Sequence, residues 1–285
     1  MEIGLLLRQA MLINGIIFNS EAWHAVSDAD IKSLEKVDEL LLRSIVNGHS
    51  KAPIEFLYLE VGAVPIRFII SSRRMIYLQN ILKRPDNELV KRIFKAQEED
   101  PVQGDFAQLV SQDFLTIGEK LNLTEIVSTP NFLYKKRIRS KIREAAFKNL
   151  KEIQKSHSKV KEIKYDKLEV QPYLVSPLFT NEEVDLLYSL RSRTMNCKAN
   201  FRGMYRDDLS CPTCQTGALD QQQHILECNE LSKKMLTDML ANNKVKYDDI
   251  FGSCLKQKEV TVMFAKLIAI REQMIKDAEQ LANTE

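Results

Sequence analysis

Apolar residues recur at helical spacing along most of this 285-residue chain. After Ser27, for example, one stripe of a helix is predicted to carry Ile31, Leu34, Val37, Leu41 and Ile45. Similar stripes follow throughout the chain, and most of its few glycines and prolines lie between them. The pattern predicts an all-α fold.

Residues typical of helix ends divide these stripes. Gly62 is expected to end a short apolar helix, and Pro65 to open a long one that stops before Pro85. Thr180 and Glu183 have the spacing of a capping box, in which each side chain accepts a hydrogen bond from the other residue's backbone. Separate helices are therefore expected rather than one long rod.

The first apolar segment, Ile3 to Phe18, is predicted to form a buried helix. Arg8, Gln9 and Asn14 interrupt it, so we expect neither a signal peptide nor a membrane span. The number of cysteines, five, is odd, which argues against a disulfide framework and for an intracellular protein. With 44% hydrophobic residues the chain is long enough to bury a sizeable core.

The net charge is only +2, so any attraction to nucleic acid must come from local patches. One such patch begins at Lys135, and basic residues far outnumber acidic ones from there to Lys167. The apolar residues between Phe132 and Leu150 are expected to face inward, which would display the cations outward. Two interpretations remain open: a track for a phosphate backbone, or a solvated helix face and linker.

The strongest chemical pattern is Cys211-Pro-Thr-Cys214 followed by His224 and Cys228. Two cysteines separated by two residues form a turn that directs both sulfurs to one point, and His224 and Cys228 are one helical turn apart. These four residues predict a zinc site. Because all four coordination positions are filled by protein, we expect the zinc to be structural rather than catalytic.

Several short strings occur in the same order in a known family. They are residues 12–16 (LINGI), 19–23 (NSEAW), 49–53 (HSKAP), 57–62 (LYLEVG) and 65–70 (PIRFII), followed by 193–195 (RTM), 198–201 (KANF) and the CCHC pattern. Together they resemble the C-terminal region of non-LTR (LINE-like) retrotransposon reverse transcriptases, which contains a helical thumb, a linker and a zinc knuckle. The resemblance covers most of the chain.

The resemblance implies three regions: a thumb-like helical domain (1–130), a basic helix and linker (131–179), and a helical domain (180–285) with the knuckle at 211–228. It also implies binding of RNA or DNA, mostly through phosphates, contact with an upstream polymerase palm or another protein, and residence in the nucleus. The cations that we assign to nucleic-acid contact are Lys135, Lys136, Arg137, Arg139, Lys141, Arg143, Arg193, Lys198 and Arg202.

We expect no polymerase activity, because the resemblance begins downstream of the palm that carries the catalytic carboxylates in that family. Residues 205–208 (YRDD) match the aromatic-x-Asp-Asp pattern of such a palm. They directly precede Cys211 and lack flanking β-rich segments, so we interpret them as a polar turn. No catalytic residue is assigned.

The alternative hypothesis is a protein-interaction module, or a relic of a retroelement, that binds no nucleic acid. It predicts exposed apolar surface on the first and fourth helices, including Leu5, Leu12 and Phe68.

Overall fold

A computed structural model describes residues 2–23, 26–205, 208–214, 216–235 and 245–282. Within these residues the fold is all-α, as predicted, and the only β pairing is two isolated bridges. The α-helices are α1 (Glu2–Leu7), α2 (Asn14–Ile16), α3 (Asp28–Ile45), α4 (Ile54–Val61), α5 (Ile66–Leu82), α6 (Leu89–Glu99), α7 (Phe106–Thr116), α8 (Leu123–Ser128), α9 (Asn131–Ser156), α10 (Asn181–Arg191), α11 (Gln222–Glu227), α12 (Asn229–Lys234) and α13 (Cys254–Ala282). A π-helical turn (Arg8–Ile13) joins α1 to α2, and short 3-10 turns lie at Ser20–Ala22, Pro172–Leu174, Lys198–Phe201 and Tyr247–Phe251.

The chain packs into two compact units. Unit 1 comprises Met1–Ile45, Ile54–Ser156 and Lys164–Val170, and unit 2 comprises Val46–Pro53, His157–Ile163 and Gln171–Glu285. The boundaries at 130 and 180 expected from the sequence stay a prediction. The basic helix α9 packs within unit 1, against α4 and α5.

Unit 1 is organised around α5, which packs against α3, α6, α7, α8 and α9. Its apolar residues are buried, including Ile66 and Leu78. Phe68 is also buried, so the expectation that it lies exposed is wrong. Leu5 and Leu12, which that expectation also included, are half-buried. A buried α5 with neighbours on several sides explains why its sequence is apolar over most of its circumference.

The opening segment is helical, but the prediction that it is a buried helix is wrong for most of its length. Ile13 and Ile17 are fully buried against Ile66 and Ile70 of α5. The outer face of α1 and the π-helical turn is exposed instead, and it carries Ile3, Leu6 and Met11. Apolar composition alone did not show which face of the segment packs.

Arg8 interrupts the apolar opening segment because it is buried as an ion pair. Its guanidinium donates two hydrogen bonds to the carboxylate of Asp38, at 2.5 and 2.6 Å, and a third to the carbonyl of Val64. Tyr58 donates to the same carboxylate. Burial of this phenol and the adjacent carboxylate raise the pKa of Tyr58 well above its usual value.

The end of α4 is held by a close backbone approach. Gly62 has a φ of +63°, and a Cβ placed on it would lie 2.3 Å from the backbone carbonyl carbon of Glu169. The neighbouring Val61 forms a β bridge with Val170, so the segment after α9 returns to the end of α4 at this point. Gly62 ends the helix as predicted, and it also leaves room for this contact.

Unit 2 is organised around α13, which packs against α10, α11, α12 and the turn Tyr247–Phe251. Its core includes Tyr188, Ile225 and Phe264, all fully buried. The capping box predicted for Thr180 and Glu183 is present at the start of α10.

Gly62→Ala should destabilise unit 1 far more than Gly118→Ala. Both glycines have positive φ, so each substitution introduces backbone strain of about 1 kcal/mol. Only the methyl group added at position 62 would also meet another backbone segment. We expect Gly118→Ala to lower the free energy of unfolding by about 1 kcal/mol and Gly62→Ala by several kcal/mol, measured by urea denaturation. Equal losses of stability in the two variants would contradict the proposed role of the close contact.

Candidate metal centre and basic residues

Four predicted ligands converge in unit 2. The ligand atoms of Cys211, Cys214, His224 and Cys228 all lie within 4.8 Å of one another. The three thiols are buried, and the imidazole is half-buried. Thiolate ligands about 2.3 Å from a tetrahedral metal lie roughly 3.7 Å apart, so the four groups are close enough to hold one metal ion.

Local structure explains how the two halves of the cluster meet. Cys211 and Cys214 lie in a hairpin closed by a hydrogen bond of 2.7 Å from the Cys211 amide to the Ala218 carbonyl. Gly217 turns the chain with a φ of +71°, a conformation that favours glycine. His224 is on α11, whereas Cys228 lies just after it, at the junction with α12.

Hydroxyl groups surround the sulfurs. Thr213 lies 3.0 Å from the sulfur of Cys211 and 3.5 Å from that of Cys228. The hydrogen bond from Thr216 lowers the pKa of the Cys214 thiol to about 6, while burial raises the pKa of Cys211. Cys214 is therefore converted more readily than Cys211 to the thiolate that binds metal.

The His224 ring completes the set. Its Nε2 lies 3.3 Å from the sulfur of Cys214. Three sulfurs and one imidazole nitrogen are ligands typical of a closed tetrahedral site, in which no position is left for a reacting water. The arrangement therefore suits a metal that holds the hairpin and α11 together.

A buried ion pair fixes the hairpin to the last helix. Asp220 is fully buried, and its Oδ2 accepts hydrogen bonds from Arg271 of α13 at 2.7 Å and from the backbone amide of Lys198 at 2.8 Å. Its own amide donates to the carbonyl of Leu209. No donor among the described residues reaches the other oxygen, so the charge of Asp220 depends on Arg271.

Three of the nine cations assigned to nucleic-acid contact are engaged within unit 1. Arg137 and Lys141 form ion pairs with Glu119, and Arg137 also pairs with Glu125. Arg143 donates to the carbonyls of Gly62 and Leu168. These three side chains help to hold α9 against its neighbours.

Three others on α9 have no hydrogen-bonding or ion-pair partner among the described residues. They are Lys135, Lys136 and Arg139. Arg139 lies one helical turn after the two lysines, so the three residues share one side of the helix. Phe132, one turn before Lys136, is 74% exposed, so the prediction that it faces inward is wrong. An exposed aromatic ring thus lies on the same side of α9 as the cations.

The remaining three lie in unit 2. Lys198 pairs with the carboxylate of Asp208 at 2.5 Å, and Arg193 lies 3.4 Å from Glu162. Arg202 is exposed, with no such partner among the described residues.

The YRDD string is only partly described, since Arg206 and Asp207 lie outside the described residues. Asp208 accepts hydrogen bonds from Lys198 and from the amide of Ser210, and the bond from Lys198 is the main reason that its pKa lies well below the usual range. Asp208 lies directly before the hairpin, in which Ser210 forms a β bridge with Leu219.

A polar cleft of about 620 Å³ in unit 2 was not predicted from the sequence. Two of the assigned cations, Arg193 and Arg202, line it together with Lys159 and Asn200. In the sequence, Lys159 is only one of many lysines in the basic segment. Its proximity to Arg193 arises from the folding of separate segments, and no spacing in the sequence indicates it.

No protein-family model matches this chain, and no curated protein or solved structure is significantly similar to it. Among the helices of the described residues, none combines the length and apolar character that crossing a bilayer requires.

The purified chain should carry one metal ion, and Cys214→Ser should lose it. Elemental analysis after dialysis against a weak chelator measures the content, and Cys254→Ser is the matched control, because Cys254 lies outside the cluster. Retention of one ion per chain by Cys214→Ser would show that this thiol is not a ligand.

Arg271→Met should destabilise unit 2, because it leaves the buried carboxylate of Asp220 without its cation. Removal of one partner of a buried ion pair costs about 3–5 kcal/mol, and chemical denaturation measures the effect. Lys276→Met, at an exposed position of the same helix, should change stability little. If the two variants unfold alike, the ion pair does not have the stabilising role inferred here.

Proposed function

We propose that this chain binds RNA or DNA through basic side chains, and that a structural zinc ion in the CCHC cluster maintains the fold of unit 2. Three thiolates and an imidazole in a closed set favour zinc over harder cations, which prefer oxygen ligands. Thiolate ligands also favour a reducing, intracellular location.

The proposal of nucleic-acid binding rests on one observation. One side of α9 presents Lys135, Lys136 and Arg139 together. These cations have no partner among the described residues, so a phosphate would not have to displace a carboxylate. The exposed ring of Phe132 adds a surface on which an unpaired base could stack. Cations interleaved with an aromatic residue are typical of surfaces that bind single strands.

The family hypothesis is part of this proposal. The chain would correspond to the thumb, linker and knuckle region of a LINE-like reverse transcriptase and would handle nucleic acid without performing polymerase chemistry. Nuclear residence is proposed from this resemblance alone. The hydrogen bonds that occupy Asp208 support a structural role for this residue directly before the knuckle.

One observation favours the protein-interaction alternative. Ile3, Leu6, Met11 and Phe18 are each at least 69% exposed, so the opening segment presents apolar surface that another protein could cover. In this hypothesis the partner is a palm-like domain or a host protein. The two functions are compatible, since the apolar surface and the cations are different residues.

Neutralising the cations of α9 should weaken nucleic-acid binding and reduce its salt dependence. For the triple variant Lys135→Gln, Lys136→Gln and Arg139→Gln, the slope of log affinity against log salt for single-stranded RNA or DNA should fall by about 0.7 for each phosphate that the variant no longer neutralises. Fluorescence anisotropy with labelled oligonucleotides between low and moderate salt measures both quantities.

The control is a variant that removes the same charge elsewhere, with Arg92→Gln, Lys120→Gln and Lys276→Gln at exposed positions. It should retain most of the affinity and slope. An equal decrease in both triple variants would mean that only net charge matters. A zinc-loaded chain that binds no oligonucleotide even at low salt would refute the proposal and favour the protein-interaction function.

A further inference from the structure

The cleft in unit 2 has the composition of an anion site. Lys159, Arg193 and Arg202 contribute three cationic side chains, and its described lining contains no carboxylate. Its other lining residues are mainly polar and uncharged, such as Asn200 and Gln223. A volume of about 620 Å³ lies within the range of small-molecule sites and is much too small for a duplex.

Lys159 is held in place before any ligand arrives. Its ammonium lies 3.2 Å from the carbonyl of Asn200 and 3.5 Å from that of Arg193, and it stands 6.0 Å from the ring centre of Phe201. No carboxylate among the described residues pairs with it. Its position is therefore fixed by neutral groups, which leaves its charge uncompensated.

Neighbouring cations add to the uncompensated positive charge around Lys159. Burial lowers the pKa of Lys159, and the nearby Lys51 and Arg193 lower it further. The ammonium of Lys51 lies 4.4 Å from the ring centre of Phe201. A bound anion would relieve the repulsion among these cations.

Arg193 shows the same preorganisation in its backbone. Its φ of +52° is in the left-handed region, which is uncommon for residues other than glycine. Its side chain is 35% exposed and lies 3.4 Å from Glu162, a carboxylate that is itself 70% exposed. Such an exposed pair is weak and would readily give way to a phosphate.

One lining residue of the cleft, Gln222, is held by two hydrogen bonds. Gln222 is buried, donates to the carbonyl of Leu190 and accepts a hydrogen bond from the hydroxyl of Tyr247. Gln222 and Gln223 immediately precede His224 on α11, so the candidate metal ligand and the cleft floor belong to the same short helix. The metal cluster therefore helps to position the cleft.

We propose that this cleft binds a phosphate group, with Lys159, Arg193 and Arg202 as its cationic partners. The phosphate would belong either to a nucleic-acid strand or to a free nucleotide. If the phosphate belongs to a strand, the inference rests on the function proposed above and supplies a defined phosphate site next to the knuckle. If it belongs to a free nucleotide, the inference does not depend on that function.

The test uses the metal-loaded full chain and follows the backbone amide signals of residues 199–202 and the side-chain amide of Gln223 by NMR. Inorganic phosphate and adenosine 5′-monophosphate are titrated at constant ionic strength, with adenosine as the probe that lacks phosphate. Both phosphate compounds should shift these signals, and adenosine should not. A single-stranded oligonucleotide is then added to find out whether it displaces the monophosphate.

Arg202→Gln is the main variant, because its side chain is exposed and its removal should leave the fold intact. It should weaken binding of the monophosphate about tenfold, the decrease expected for one charge-assisted hydrogen bond. Lys159→Gln should weaken it at least as much. Lys234→Gln and Lys276→Gln, which remove exposed charges of unit 2 outside the cleft lining, should leave binding unchanged.

The outcomes distinguish phosphate binding at the cleft from the nucleic-acid binding proposed above. Displacement of the monophosphate by the oligonucleotide supports the cleft as a site for a strand phosphate. Phosphate binding at the cleft without oligonucleotide binding at low salt supports the cleft with a free nucleotide as its source, while refuting the nucleic-acid function. A third outcome would refute phosphate binding at the cleft and leave the nucleic-acid function supported. It is oligonucleotide binding with no phosphate-induced shifts at residues 199–202 and with unchanged affinity in Arg202→Gln.

Discussion

The architecture of unit 2 depends on the buried carboxylate of Asp220. Through one oxygen it receives the guanidinium of Arg271 and the amide of Lys198, and through its backbone it bonds to Leu209 and Ala199. One residue thus joins the last helix, the turn at Lys198–Phe201 and the hairpin of the candidate metal cluster. A buried charge is tolerated only where such partners surround it, so these segments must be assembled together.

The metal cluster and the cleft are two consequences of that assembly. The hairpin contributes two of the cluster thiols, and α11 contributes His224 as well as the glutamines of the cleft floor. The turn at Lys198–Phe201, placed by its bond to Asp220, brings Asn200 to the cleft. A metal ion held by these four residues would therefore act on ligand binding at the cleft only indirectly, by holding the elements that line it.

Unit 1 applies the same principle at its opening segment. The ion pair of Arg8 with Asp38 is buried and shares Tyr58 and the carbonyl of Val64, which ties the π-helical turn to α3 and to the region between α4 and α5. Ile13 and Ile17 complete the attachment against α5. The opposite side of the segment needs no further contact within the described residues, which is why its apolar residues lie exposed.

The amino-acid sequence by itself determined the all-α class, the capping box at Thr180, the helix end at Gly62 and the set of four candidate ligands. Each of these follows from the spacing of residues close together in the chain, and such spacing acts through local geometry. The tertiary structure alone decided which side of α9 faces outward at Phe132, which cations are paired and which remain without a partner. It also brought Lys159, Arg193 and Arg202 into one cleft. The physical reason is that the pairing and burial of a charge depend on carboxylates and carbonyls from distant segments, such as Glu119 for Arg137, and only the folded chain brings these together.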